Sequence, residues 1–175
     1  PRQSPYQALL ESIVYQQLTA KAAATIYGRV CKSFGSSRCP GAEKVADAPD
    51  ELLRAAGLSR SKVSAVKDLA RKSLDGEIPT RRAAEKLSDA ALVECLTSVR
   101  GVGTWTVEMF LIFTLGRPDV LPLDDYGVRK GFARTFGRDV LPKPKELAAL
   151  GEKWRPFRTA ASWYLWRALD LDAKG

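Results

Sequence analysis

The sequence predicts an all-α protein, and its 175 residues suffice for one sizeable core and one or two small domains. Three observations support the fold class. Apolar residues recur at helical spacing along nearly the whole chain, capping side chains precede these segments, and turn residues follow them. No segment alternates apolar and polar residues in the way that a half-buried strand does.

The first half of the chain contains four predicted helices, each with a polar capping side chain or a turn residue at one end. The capping positions are Ser4, followed by Pro5 and the capping-box Gln7, then Thr19, and then Ser59. The segment APDELLRAAG predicts a short helix between the last two caps. The predicted ends are the tract GSSRCPG, Gly57 and Gly76.

The second half begins with a helix that Ser88 and Asp89 open and that ends near Val99. After two glycines, another helix is predicted from about Thr104. GRPDVLPL is a predicted loop, and DDYGVRKGFARTF starts the next helix. The segments PKPKELAAL and KWRPFRTAASWYLWRAL supply the last two helices.

Composition excludes several classes of function. The chain has no histidine, which excludes Ser-His-Asp catalysis, H-E-x-x-H zinc sites and the zinc-deaminase signature. Three cysteines fit no metal-binding spacing and are expected to be reduced, as in an intracellular protein: Cys31, Cys39 and Cys95. We expect no signal peptide and no membrane association, since no apolar run is long enough to cross a bilayer.

The net charge of +8 is concentrated at the two ends of the chain. Residues 1–39 carry five Lys or Arg and one Glu, and residues 126–175 carry eleven basic and five acidic side chains. Residues 40–125 carry twelve basic and fourteen acidic side chains. Two basic ends indicate a surface for a polyanion such as DNA. A basic surface that only improves solubility is the alternative.

The stretch LTSVRGVGTWTVEMF places Gly101 and Gly103 between two amphipathic helices. We expect a short turn that needs positive φ or a close backbone approach at both glycines. The amides of Gly101, Gly103 and Thr106 would then point outward together and, with the helix dipole, bind an anion. A helix–helix turn without a ligand is the alternative.

The string LxxVRGVGTWT resembles the helix–hairpin–helix element with which DNA-repair proteins hold a DNA backbone phosphate. In that element, main-chain carbonyls on the other side of the hairpin often hold a monovalent cation, Na⁺ or K⁺. By position, the resemblance assigns this cation site to Thr97, Val99 and Val102. No cofactor is expected to be required.

Two acids, Asp124 and Asp125, stand at the mouth of the helix that follows the proline-containing loop. Taken alone, such an Asp could simply cap its helix. The order of hairpin, loop and Asp, however, resembles the helix–hairpin–helix (HhH-GPD) DNA glycosylase superfamily, and most closely its 3-methyladenine DNA glycosylase II group. The segments IVYQQLTAKAAATIYGRV, GLSRSKVSAVKDLA and KWRPFRTAASWYLWRAL also resemble the family, so the likeness covers nearly the whole chain.

The resemblance implies that Asp125 is the catalytic residue, because it stands directly before Tyr126, in the position that the family's essential Asp occupies. The one-residue alternative, Asp124, stays open. The family's base pocket falls on Trp105, Tyr126 and Trp166, with Trp163 a weaker candidate. Plain core packing is the alternative for each tryptophan.

A turn between the first two helices matches the family's DNA-inserting wedge, with Leu18 as the wedge and Gln17 beside it. An ordinary leucine at a helix end is the alternative. Family members that also cleave the strand carry a Schiff-base lysine at the position of Trp105, so no AP lyase activity is expected. Met109 stands where bacterial alkyl-purine enzymes often have an aromatic residue, which leaves the substrate range open.

The resemblance therefore implies a monofunctional glycosylase that hydrolyses the N-glycosidic bond of alkylated, 3-methyladenine-type bases in base excision repair. The alternatives are a non-catalytic DNA-binding module and a glycosylase for uracil or hypoxanthine. Two helical lobes are expected, 19–124 with the hairpin and 1–18 plus 125–175, with Asp125 in the cleft between them. The expected partner is double-stranded DNA with a damaged base. We expect a DNA-associated intracellular monomer, in the bacterial cytoplasm and nucleoid or in a nucleus.

Overall fold

A computed structural model describes residues 3–170, which contain helices and no strand, as the sequence predicts. Within this range no helix is long and apolar enough to cross a membrane. The α-helices are α1 (Pro5–Tyr15), α2 (Ala20–Ser33), α3 (Ala42–Asp47), α4 (Asp50–Ala55), α5 (Arg60–Leu74), α6 (Arg81–Ala84), α7 (Asp89–Thr97), α8 (Thr104–Met109), α9 (Tyr126–Thr135), α10 (Pro144–Gly151) and α11 (Arg158–Asp170).

The predicted capping residues are confirmed. Ser4 and Gln7 form the reciprocal capping box of α1, with Pro5 as the first helical residue. The side-chain oxygens of Thr19 and Ser59 accept amide hydrogen bonds at the starts of α2 and α5, and Ser88 does the same for α7. Two short helices, α3 and α6, were not predicted, since they have only six and four residues and each has a single buried side chain.

The helix after the glycines changes its winding at Phe110. Residues Phe110–Leu115 form a π-helical segment that directly continues α8. The periodicity of the sequence predicts one regular helix here, so this change of winding was missed. π-Helical turns are short and occur frequently at functional sites.

The described chain divides into two compact units, the first ending at Phe110 and the second beginning at Leu111. In the first unit, α5 packs against α1, α3 and α4, and α1 also packs against α2. The fully buried residues Leu9, Ile13 and Leu69 lie on α1 and α5. This division differs from the predicted lobes, because α1 packs within the first unit.

In the second unit, α9 packs extensively against α11. The buried core consists of Leu121, Val128, Phe132, Leu147 and Leu165. These residues come from the loop before α9 and from helices α9, α10 and α11. The core therefore joins the start of α9, where the two candidate acids lie, to the aromatic helix α11.

Candidate functional site

Asp125 is the N-cap of α9, and its carboxylate accepts hydrogen bonds from the main chain of α9 and from a side chain of α11. Oδ1 accepts the main-chain N–H of Val128 at 2.7 Å and the indole Nε1–H of Trp166 at 2.8 Å. Asp125 is half-buried, whereas its neighbour Asp124 is exposed. A carboxylate at a helix N-terminus is further stabilised by the helix dipole. The side chain of Asp125 is thus oriented by the fold, and it is more than a helix cap because it also accepts a hydrogen bond from a side chain of α11.

Trp166 belongs to a cluster of three aromatic rings with Phe113 and Trp163. Phe113, on the π-helical segment, stacks on Trp166 with ring centroids 6.0 Å apart and planes 21° apart. Trp163 meets Phe113 edge-on at 5.8 Å and Trp166 edge-on at 6.3 Å. Phe113 is 58% exposed and Trp163 is 48% exposed, so the cluster presents aromatic surface to solvent. Sequence reasoning missed Phe113 because its position depends on the unpredicted π-helical winding.

Two glycines of α9 allow α11 to approach closely enough for the bond between Trp166 and Asp125. A Cβ on Gly127 would lie 2.9 Å from Trp166 Cδ1 and 3.1 Å from Asp125 Oδ1. A Cβ on Gly131 would overlap the main-chain carbonyl of Leu165. Two glycines four residues apart inside a helix were the available sequence signal, since glycine weakens a helix unless close packing requires it.

The loop that leads to Asp125 is fastened to the start of α11. Arg158 donates to the Asp119 carboxylate at 2.6 and 3.1 Å and to its carbonyl at 3.0 Å. These hydrogen bonds hold the pKa of Asp119 below its usual value. Thr159 accepts the amide of Val120 and donates to the carbonyl of Arg117. The loop before α9 and helix α11 are therefore a single hydrogen-bonded structure.

The hairpin lies in the first unit, between α7 and α8. Gly101 has a φ of 75°, as predicted. Gly103 does not have positive φ: its φ is −100° and its ψ is 170°, and no protein atom lies within 4 Å of a Cβ placed there. Gly103 is in extended backbone because it is the N-cap of α8, where such a conformation is normal.

A cavity of about 530 Å³ adjoins the hairpin within the first unit. Five of the predicted site residues line this cavity: Gly101, Gly103, Trp105, Thr106 and Gln17. Trp105 is 48% exposed, so it is not a core residue, whereas the side chain of Thr106 is buried. Sequence reasoning missed three further lining residues, Ser12, Tyr15 and Gln16, which are brought here by the packing of α1.

The predicted wedge turn joins α1 to α2. Gln17 has a φ of 57°, and Leu18 is 40% exposed. Lys62 of α5 donates to the carbonyl oxygens of Val14 and Gln16, and burial lowers the pKa of its ammonium group. The exposed Leu18 is not part of the core.

The predicted cation ligands are Thr97, the last residue of α7, and two residues that follow the helix, Val99 and Val102. The carbonyl of Val99 accepts the amide of Val102 at 3.1 Å. Within residues 3–170, no donor forms a hydrogen bond with the carbonyl oxygen of Thr97 or Val102. The cation site therefore stays a prediction.

The structure brings the predicted site residues together in two groups. The first unit gathers Trp105, the hairpin and Gln17 around one cavity. The second unit gathers Asp125 and Trp166, while Tyr126 follows directly in the chain with its ring 64% exposed. The ammonium of Lys130 lies 5.8 Å from the centre of the Tyr126 ring. Such an exposed aromatic ring can attract a cation.

Comparisons with known proteins give the same family throughout. Residues 10–156 match the family described as "HhH-GPD superfamily base excision DNA repair protein". The chain is 39% identical over 170 residues to DNA-3-methyladenine glycosylase 1 of Schizosaccharomyces pombe, covering 97% of this chain and 75% of that protein.

Two solved structures of similar proteins align with this chain over most of its length. The 3-methyladenine DNA glycosylase of S. pombe in complex with abasic DNA aligns with a TM-score of 0.82 and 40% identity, covering 94% of this chain and 80% of that one. A DNA-3-methyladenine glycosidase of Bacillus halodurans aligns with a TM-score of 0.89 and 36% identity, covering 98% of this chain and 78% of that one.

Proposed function

Because the chain belongs to the HhH-GPD superfamily of base excision DNA repair proteins, we propose that it is a DNA glycosylase that removes alkylated, 3-methyladenine-type bases. The reaction is hydrolysis of the N-glycosidic bond between the damaged base and its sugar. The predicted family and its 3-methyladenine group are confirmed by the relatives that the chain matches.

The observation that carries this proposal for the site is the oriented carboxylate of Asp125. N-alkylated purines are cationic and leave readily, so positive charge develops on an oxocarbenium-like sugar. A carboxylate already held by Val128 and Trp166 can stabilise that charge, or orient the attacking water, without reorganising during the reaction. We assign the catalytic role to Asp125 and not to the exposed Asp124.

Trp105, Tyr126 and Trp166 are proposed to contact the damaged base. All three present aromatic surface, and a cationic base is attracted to the face of an aromatic ring. The base must leave the stacked duplex to be cut. Leu18, with Gln17 beside it, is proposed to fill the space that the base vacates.

The hairpin is proposed to hold the DNA backbone. The amides of Gly101, Gly103 and Thr106 would contact a phosphate, which positions the protein without reading sequence. The carbonyls of Thr97, Val99 and Val102 are proposed to hold Na⁺ or K⁺, whose charge would attract the same phosphate.

We further propose that the enzyme has no AP lyase activity. A lyase step needs an amine that forms an imine with the sugar, and the indole of Trp105 cannot do so. Related 8-oxoguanine glycosylase/lyases share the fold at low identity, so the fold alone does not decide this point. A monomer acting in the bacterial nucleoid or in a nucleus is proposed, because one chain carries all the assigned groups.

The function is tested with duplexes that each hold one lesion: 3-methyladenine, 7-methylguanine, hypoxanthine or uracil. We expect the wild type to release the alkylated bases and to leave abasic strands that break only after hot alkali. Borohydride should trap no covalent adduct. Binding without release of any base would instead indicate a DNA-binding module, and a borohydride-trapped wild type would contradict the monofunctional assignment.

The catalytic assignment is tested with two variants. Asp125→Asn should abolish base release while affinity for abasic DNA stays within about tenfold, since the phosphate contacts remain. Asp124→Asn, which removes the same charge one residue away, is the matched control and should keep most activity. Loss of activity only in Asp124→Asn would show that the choice between the two acids is wrong.

A further inference from the structure

The turn between α1 and α2 has an unfavourable backbone conformation. Gln17 has a φ of 57°, and it is the one residue other than glycine with positive φ within residues 3–170. Such a conformation costs energy and persists only where the surroundings hold it in place. Gln17 is exposed, so core packing of its side chain does not supply that restraint.

Lys62 supplies one restraint from α5. Its Nζ donates to the carbonyl oxygen of Val14 at 2.6 Å and to that of Gln16 at 2.8 Å. The last carbonyls of a helix have no intrahelical donor, and a cation there also offsets the negative end of the helix dipole. Because α5 packs directly against α1, this amine is a rigid attachment for the end of α1.

Gln16 supplies a second restraint from the turn itself. Its side-chain Nε2 donates to the carbonyl oxygen of Gly101 at 2.9 Å, across 85 residues of sequence. The turn is therefore joined to the hairpin by a direct hydrogen bond. Leu18, which follows at 40% exposure, is carried on a backbone held at both of these points.

We infer that Lys62 is a positioning residue for DNA wedging, which acts together with Gln16 to hold Leu18 in place before DNA binds. The inference rests on the proposed glycosylase function. Leu18 would then enter the duplex without an ordering step, and binding energy would go into flipping the base. Lys62 itself would make no contact with DNA.

The alternative role for a lysine near a DNA-binding turn is to contact a DNA phosphate. The two roles predict different effects of salt on DNA affinity. Loss of a phosphate contact reduces the slope of log K against log salt by about 0.9, whereas loss of a positioning residue leaves the slope unchanged. The two carbonyl bonds of Lys62 favour positioning.

The test uses Lys62→Met, which keeps the length of the side chain and removes its donors. Lys72→Met is the matched control, because Lys72 lies on the same helix and its amine binds Glu77 instead. Gln16→Ala removes the bond to the hairpin and provides a second variant if Lys62→Met does not fold. Flipping is followed by the fluorescence of 2-aminopurine placed beside the lesion.

We expect Lys62→Met to lower the flipping equilibrium about tenfold, since hydrogen bonds to a charged group are lost. Gln16→Ala should lower it in the same direction, and Lys72→Met should match the wild type. Amide exchange in residues 16–18 should accelerate in Lys62→Met even without DNA. Unchanged flipping and exchange, or a slope reduced by about 0.9, would overturn the inference. A wild type that releases no base would overturn only the proposed function.

Discussion

At the scale of single residues, the central contact is the hydrogen bond from Trp166 to Asp125. Its 2.8 Å length joins the aromatic cluster to the proposed catalytic carboxylate. The sequence places both residues in the site by family resemblance, but it does not reveal this bond, because 41 residues separate the partners. The resemblance assigns Trp166 to the base pocket, and the structure shows that its indole N–H also donates a hydrogen bond to the Asp125 carboxylate.

Trp166→Phe should slow base release without weakening DNA binding. The substitution keeps an aromatic ring and removes the indole donor, and a hydrogen bond to a charged acceptor contributes about 1.5–3 kcal/mol. We expect the single-turnover rate of base release at saturating enzyme to fall about tenfold or more. Trp163→Phe is the control, since Trp163 belongs to the same cluster but does not donate to Asp125. Equal losses in both variants would show that ring packing, and not the hydrogen bond, matters.

At the scale of elements, the sequence predicts most of what is local. Helix caps such as Ser4 and Thr19 act within four residues, so their patterns are visible in the chain. The π-helical segment and the close contact between α9 and α11 depend on tertiary packing. Phe113 could not be assigned before that packing was known, and the spacing of Gly127 and Gly131 indicated a close approach without identifying α11 as the partner.

Gly131→Ala should destabilise the second unit strongly. The new Cβ would overlap the carbonyl of Leu165, which is main chain and cannot rotate away. Overpacking of this kind costs about 1–3 kcal/mol, and a main-chain overlap belongs at the upper end. Gly28→Ala in α2 is the control: its Cβ meets no atom within 4 Å, so it should be neutral or stabilising by up to about 1 kcal/mol. Denaturant unfolding measures both, and equal stabilities would contradict the packing argument.

The stability that the hydrogen bonds between Asp119 and α11 contribute should depend on pH. Arg158 lowers the pKa of Asp119 in the folded protein. A lowered folded pKa means that this carboxylate contributes stability above its unfolded pKa of about 4, and that the contribution disappears as pH falls through the folded value.

The measurement is the difference in melting temperature between the wild type and Asp119→Asn from pH 7 to pH 2.5. The difference should be largest near neutral pH and shrink below about pH 4. Asp124→Asn, at an exposed acid nearby, should show a small difference throughout. A difference for Asp119→Asn that grows on acidification would contradict the proposed sign.

At the scale of the whole molecule, charge and family were visible in the sequence, but the assembly of the site was not. The basic ends indicated a surface for a polyanion, and the hairpin string indicated DNA through its resemblance to the helix–hairpin–helix element. The contacts of Lys62 with the end of α1 and of Gln16 with Gly101 span 46 and 85 residues. Such contacts follow from how helices pack, which no local pattern in a single sequence records.

Binding of undamaged duplex should weaken steeply with salt, since the protein carries a net charge of +8 and the proposed contacts are to phosphates. The slope of log K against log salt should be near −0.9 for each phosphate neutralised. Gly103→Ala should weaken this binding alike for all sequences, because a methyl group would crowd the amides proposed to hold a phosphate, and phosphate contacts read no bases.

Gly103 is suited to this experiment because its extended backbone and open surroundings allow alanine without strain, so folding should be unaffected. Gly41→Ala is the matched control: it too is an extended helix N-cap with no atom within 4 Å of its Cβ. Equal melting temperatures for both variants, with weaker binding only for Gly103→Ala, would support phosphate binding at the hairpin. Affinity independent of salt would contradict the proposed polyanion surface, and equal affinity in both variants would place the DNA backbone elsewhere on the protein.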